Sequence, residues 1–193
     1  MNDILYPGSV LHTVNHNTYE YYIAPSNFKH GCIYFGKGLK TFLDNSILKH
    51  INTSNINDEY EYVINCDGKQ TKPEILSIFL KNRNEVRIYN FYNDNVLRKD
   101  VMYYASRYSC KYIGTAFSFR NRGKYCFQII VESFKAAMLK YNLNNLYFNI
   151  IIIGGKQFYN SKSISNHINF YLVYKQNNEK KKIYYDNNCI IKL

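Results

Sequence analysis

Cys126 and His30 carry the residue types and positions from which a thiol nucleophile site is built. Cys126 follows Gly123-Lys124-Tyr125 and leads Phe127-Gln128 into an amphipathic stretch, and His30 heads the apolar run Gly31-Cys32-Ile33-Tyr34-Phe35-Gly36. A histidine on a strand can take the proton of a cysteine at a helix start, leaving a thiolate to attack an acyl carbon. The first turn of a helix offers unpaired backbone N–H groups and the positive end of the dipole, both favouring a thiolate. Arg120, Arg122 and Lys124 lie just upstream and act in the same sense, lowering the thiol below its free pKa of about 8.5. The backbone N–H of Cys126 is placed to stabilise an oxyanion, with Tyr125 and Gln128 as side-chain candidates to assist it. Asn65 ends an apolar strand, and its side-chain carbonyl can orient the imidazole. The plain alternatives are a buried apolar cysteine, a turn histidine and one asparagine among many.

The elements that must position these groups follow from periodicity. Gly8–Val14 reads as a first strand after Tyr6-Pro7, Thr18–Ile23 as its partner, Ala24–Lys29 as a polar loop, and Gly31–Phe35 as the strand behind His30. Leu39, Phe42, Leu43, Ile47 and Leu48 have helical spacing over 38–50, and Ile51–Asp58 is an Asn-rich loop. Tyr60–Asn65 reads as a strand closed by the turn Cys66-Asp67-Gly68. Pro73 is expected to open a helix with Ile75, Leu76, Phe79 and Leu80 on its apolar face. Glu85–Phe91 alternates as a strand, and Asp94 is expected to cap a helix running to about Lys111. After a loop over Tyr112–Arg122 comes the longest helix, 125–141, with Phe127, Ile130, Val131, Phe134, Ala137, Met138 and Tyr141 on one face. Gly154-Gly155 break the Ile150–Ile153 run, and Asn169–Tyr174 and Ile183–Tyr185 read as strands. The pattern predicts one α+β domain over residues 1–193.

Composition narrows the function classes. A chain of 193 residues with 46% hydrophobic content can bury a core, and no apolar run is long enough for a transmembrane helix. No secretory leader is visible at the N-terminus. Five cysteines (32, 66, 110, 126 and 189) without CxxC spacing read as reduced thiols in a cytoplasmic setting. The net charge of +11 fits an anionic surface, although the abundance of Lys, Asn, Ile, Tyr and Phe also reflects AT-rich codons. Lys180-Lys181-Lys182 reads as a solvated turn. No Arg-aromatic stripe or known motif points to nucleic acid. His12 and His16 are four apart on a strand and turn with no third ligand at a usual spacing, so neither metal nor cofactor is expected.

His30-Gly-Cys-Ile-Tyr-Phe-Gly resembles the His-x-Gly-Ile-Tyr-x-Gly motif of the circularly permuted, NlpC-type branch of the papain-like superfamily. Tyr125-Cys126-Phe127-Gln128-Ile129-Ile130-Val131 resembles that branch's Tyr-Cys-x-x-Leu-Val helix start. Gly8-Ser9-Val10-Leu11, Tyr62–Asn65 and Tyr112–Phe117 match further family segments in order, and the resemblance covers roughly residues 6 to 140. Histidine before cysteine marks the permuted branch, and within it the chain is most similar to poxvirus members, relatives of YiiX and YaeF and, more distantly, of lecithin:retinol acyltransferase. The resemblance implies an antiparallel sheet packed against helices with the nucleophile at a helix N-terminus. It implies a Cys126-His30-Asn65 hydrolase or acyltransferase acting on an amide or ester of a lipid or acylated protein, in the host cytoplasm if the source is viral. An anionic membrane surface or a host protein is the expected partner. Cys32 stands where the family has glycine, and Asn65 where it usually has glutamate. These departures motivate a second expectation, an inactive basic binding module on the same fold.

Overall fold

The computed structural model describes residues 4–14, 30–81, 83–119, 123–177 and 182–184. The expected strand 18–23, the loop 24–29, His16, Arg120, Arg122 and Cys189 lie outside the described residues. The elements run β1 (Val10–Val14), β2 (His30–Gly36), α1 (Leu39–Asp44), β3 (Tyr62–Cys66), β4 (Thr71–Ile75), α2 (Leu76–Lys81), β5 (Glu85–Asn93) and β6 (Val96–Leu97). They continue with α3 (Lys99–Ser109), α4 (Cys126–Lys140), β7 (Ile151–Ile153), β8 (Lys156–Phe158), α5 (Ser161–Ser165), β9 (Phe170–Asn177) and β10 (Lys182–Tyr184).

The main sheet is antiparallel throughout, in the order β10-β9-β5-β1-β2-β3-β4, with β6 on β5. Side chains alternate between its faces. Val10, Ile33, Tyr89 and Phe91 face a core shared with α3 and α4, and Leu11, Cys32, Tyr34, Val63, Val86 and Ile88 face Leu76 and Phe79 of α2. The long stripe read from the sequence is the buried face of α4. Its Phe134 ring lies 5.6 Å from Phe91 and 4.7 Å from Phe170. Burying a side chain of that size contributes about 1.5–3 kcal/mol. Arg107 of α3 stacks 3.8 Å over Phe35 and donates from Nη1 to the Phe35 carbonyl at 3.0 Å, pinning α3 to the end of β2.

Two expectations change. Pro73 does not open a helix. It lies inside β4, the last strand in the sheet order, and the edge of a sheet tolerates the missing N–H; the helix starts after it, at Leu76. Asp94 is not a cap: Asp94 and Asn95, with φ of 50° and 62°, form the turn between β5 and β6. Two left-handed residues suit a tight hairpin, so α3 begins later, at Lys99. The Ile run becomes one strand of a separate hairpin, β7–β8, turning at Gly154-Gly155. Helix α5, capped by Asn160 and Ser163 in a reciprocal capping box, has no counterpart in the sequence reading, although the Asn-x-x-Ser spacing could have signalled it.

Candidate active site

Cys126 is the first residue of α4, after the extended N-cap Tyr125, and is buried. The position follows from how the preceding loop is tied down. Phe117 donates its N–H to the Lys69 carbonyl, Lys124 to Ala116 and Ser118 to Lys124, and Thr71 donates to Thr115. The loop is thereby stitched to the start of β4. Gly123 permits this: a Cβ there would stand 2.5 Å from the Ala116 carbonyl oxygen. Cys66, at the end of β3, donates its thiol to the Lys124 carbonyl at 3.5 Å.

The charges around the helix start differ from expectation. Lys124 Nζ is paired with Glu132 Oε1 at 2.6 Å, which offsets its pull on the thiol. Glu132 also accepts from Gln128 Nε2 at 2.9 Å and from the Tyr112 hydroxyl at 2.7 Å. Gln128 is thus held along the helix. The Tyr125 hydroxyl accepts the Tyr159 N–H at 2.6 Å, and burial pushes its pKa up to about 12. Both side chains considered for the oxyanion are engaged elsewhere. The backbone N–H groups of the first turn, Cys126 included, remain the donors oriented by the helix itself. No acidic residue occupies that turn.

His30 and Asn65 are brought together on neighbouring strands. His30 Nε2 lies 2.5 Å from Asn65 Oδ1, and Asn65 Nδ2 donates to Glu74 Oε2 at 2.6 Å. The second bond assigns the amide: Oδ1 is the atom facing the ring, so Nε2 carries the imidazole proton. Nδ1 is then the basic nitrogen. Burial, and secondarily Arg83, lowers the His30 pKa to about 4, opposed by the Asn65 bond and Asp67, so the ring is neutral at pH 7.

The two halves approach β2 from different sides. A Cβ on Gly31 would meet Ile130 Cδ1 and Phe127 Cε1, both at 2.8 Å, so Gly31 is where α4 presses on the sheet. Alternation then turns His30 and Cys32 to the other face, and the His30 ring lies 5.9 Å from Phe79. The expectation that His30 faces the Cys126 helix is therefore replaced by an arrangement in which imidazole and thiol flank the start of β2. The Cys32 thiol, on the His30 face, is held protonated by burial. The exchange of glycine and cysteine relative to the family motif has its reason here, since the residue under α4 is position 31 and not 32.

A second imidazole, considered from sequence only as a metal ligand, sits on the α4 face. His12 lies 5.2 Å edge-on to Phe127 and 4.7 Å from Tyr89, and burial, aided by Arg87, lowers its pKa to about 3. Among the described residues no group of three His, Cys, Asp or Glu could hold a metal ion. Cys32, Cys66, Cys110 and Cys126 are reduced thiols.

No curated protein matches the sequence. Among solved structures, the crystal structure of the metalloprotein YiiX from Escherichia coli O157:H7 superposes with a TM-score of 0.63 at 9% identity, over 90% of this chain and 98% of YiiX. That likeness supports the fold. The family model for permuted papain-like amidases of the YaeF/YiiX type, C92, matches residues 5–178. A chain in which histidine precedes cysteine, with this antiparallel sheet and with the cysteine opening the main helix, belongs to that permuted papain-like amidase family.

Proposed function

We propose that the protein is a thiol hydrolase or acyltransferase in which Cys126 is the nucleophile, His30 the base and Asn65 the group that orients it. The observation that carries this reading is the His30–Asn65–Glu74 chain, which commits Nε2 to the amide and leaves Nδ1 as the basic nitrogen. In this reading Nδ1 takes the Cys126 proton past the start of β2, where His30 and Cys126 each adjoin the Gly31–Phe127 contact, as sulfur attacks the carbonyl carbon of an amide or ester. The negative charge collects on the former carbonyl oxygen, against the N–H groups at the start of α4. The amine or alcohol leaves with the proton from His30, and water or another acceptor releases the acyl group from sulfur. Because burial keeps His30 neutral, the imidazole acts as a base on the thiol rather than waiting as a cation beside a thiolate. The resemblance noted in the sequence points to a lipid or an acylated protein as substrate. YiiX is described as a metalloprotein; the described residues here offer no donor set for a metal, and no step uses one.

One observation favours a second reading of the base: the imidazole on the face covered by α4 is His12. Limiting iodoacetamide across pH 4 to 8, read by mass spectrometry on wild type, His30→Ala and His12→Ala, separates the two. Cys126 is expected to react first in wild type and to lose that advantage in His30→Ala. Loss only in His12→Ala transfers the base to His12. If Cys126 reacts no faster than the other cysteines, the hydrolase reading fails and an inert binding module on this fold takes its place.

A further inference from the structure

The β7–β8 hairpin is built unlike the rest of the sheet structure. Among the described residues its strands pair only with each other, Ile151 with Phe158, Ile152 with Gln157 and Ile153 with Lys156, around Gly154-Gly155. Residues 152–157 are all exposed, with Ile152 at 70% and Ile153 at 48%. Consecutive strand residues point to opposite faces, so the hairpin shows an isoleucine to solvent on each side. A flat protein partner covers one face of a ribbon. A medium that surrounds the ribbon covers both.

The chain on either side of it carries one sign of charge. Between Ser133 and Asn178 the chain has five lysines (135, 140, 156, 162 and 175) and no aspartate or glutamate. Lys156 stands on the hairpin itself, paired across from Ile153. Three residues per strand give a length of roughly 10 Å, comparable with the roughly 5–10 Å depth of the headgroup–acyl boundary. The root of the hairpin is fixed beside the nucleophile helix. The Phe158 ring is 6.1 Å from Tyr125, the residue before Cys126, and 6.0 Å from Phe119, whose own ring is 5.1 Å from Tyr125.

We infer that this hairpin is a membrane-docking element that inserts Ile152 and Ile153 into the surface of an anionic bilayer, with Lys156 at the headgroups. No helix among the described residues is long and apolar enough to cross a membrane, so the attachment is peripheral. Docking through a hairpin rooted at Tyr125 brings the start of α4 to the lipid surface. The inference concerns binding and stands whether or not Cys126 is active.

The test is co-sedimentation of the full chain with vesicles of phosphatidylcholine alone or with about 30% phosphatidylserine. Wild type is expected to bind the phosphatidylserine vesicles. Ile152→Asp/Ile153→Asp is expected to lower partitioning at least tenfold, and Lys156→Gln about fivefold, the equivalent of about 1 kcal/mol per lysine near an anionic surface. Cys126→Ala should bind as wild type does. These positions are exposed, so far-UV circular dichroism and thermal melting should match wild type. Two results overturn the inference: binding by the double variant equal to wild type, or no binding by wild type. Self-association of wild type in sedimentation velocity, abolished by the double variant, would together with absent vesicle binding reassign the hairpin to contacts between copies of the chain.

Discussion

The two faces of the main sheet hold two buried histidines in contrasting settings, His30 on β2 and His12 on β1. On the α2 side, His30 is joined to Asn65 and through it to Glu74, so its tautomer is set by hydrogen bonds. On the α4 side, His12 stands between the rings of Tyr89 and Phe127, the residue after Cys126. Burial lowers both pKa values, to about 4 and about 3. Desolvation alone therefore does not mark a catalytic imidazole. What separates the two is a polar relay on one side and proximity to the helix that Cys126 opens on the other. Gly31, one residue wide, divides these settings.

The largest expected effect comes from removing a member of the proposed pair. Cys126→Ala should abolish turnover of model esters and amides while retaining the melting profile. His30→Ala should lower kcat by about 10²–10⁴-fold, and His12→Ala by less than tenfold; steady-state kinetics on equally stable variants would reverse the assignment if the two values exchange. Asn65→Ala comes next, with roughly tenfold lower kcat, little change in KM and recovery in Asn65→Gln only if the longer amide still reaches Nε2.

Stability tests sharpen the same contrast. Gly31→Ala drives a methyl into Phe127 and Ile130 and should cost about 1–3 kcal/mol in urea denaturation, as overpacking does. Gly31→Ala as stable as wild type would remove α4 from that face. Acidification should act through both histidines. Each has a folded pKa depressed below its unfolded value of about 6.5, so the unfolded chain binds more protons below that pH. The stability they support is complete above about pH 6.5 and is lost as pH falls through about 4 and 3. Urea midpoints between pH 8 and pH 4 should fall steeply, and less so in His12→Phe. The smallest effect is expected at the β5–β6 turn, where Asn95→Gly should stabilise by less than about 1 kcal/mol by relieving a left-handed residue.

Much of the scaffold was legible in local pattern. The α4 stripe, the β1, β2, β3 and β5 strands and the helical start at Cys126 follow from spacing that only one period satisfies. Pro73 and Asp94 misled because their signals are shared: proline opens helices and occupies sheet edges, and Asp94 both caps helices and enters left-handed turns. The Ile150–Ile153 run was ambiguous because an apolar run says nothing of what covers it.

The sequence by itself determined where the candidate residues stand, a cysteine at a helix start, a histidine heading a strand and an asparagine on another strand, because each placement depends on local pattern. Only the tertiary structure decided which residues meet and on which side. Strand alternation flips every side chain with a shift of one residue, and the contact of Gly31 with α4 set that phase. It joined His30 to Asn65, placed His12 against Phe127, paired Lys124 with Glu132 and left Ile152 and Ile153 outside the core. The His30–Asn65 and His12–Phe127 contacts join segments far apart in the chain, and no local pattern encodes them.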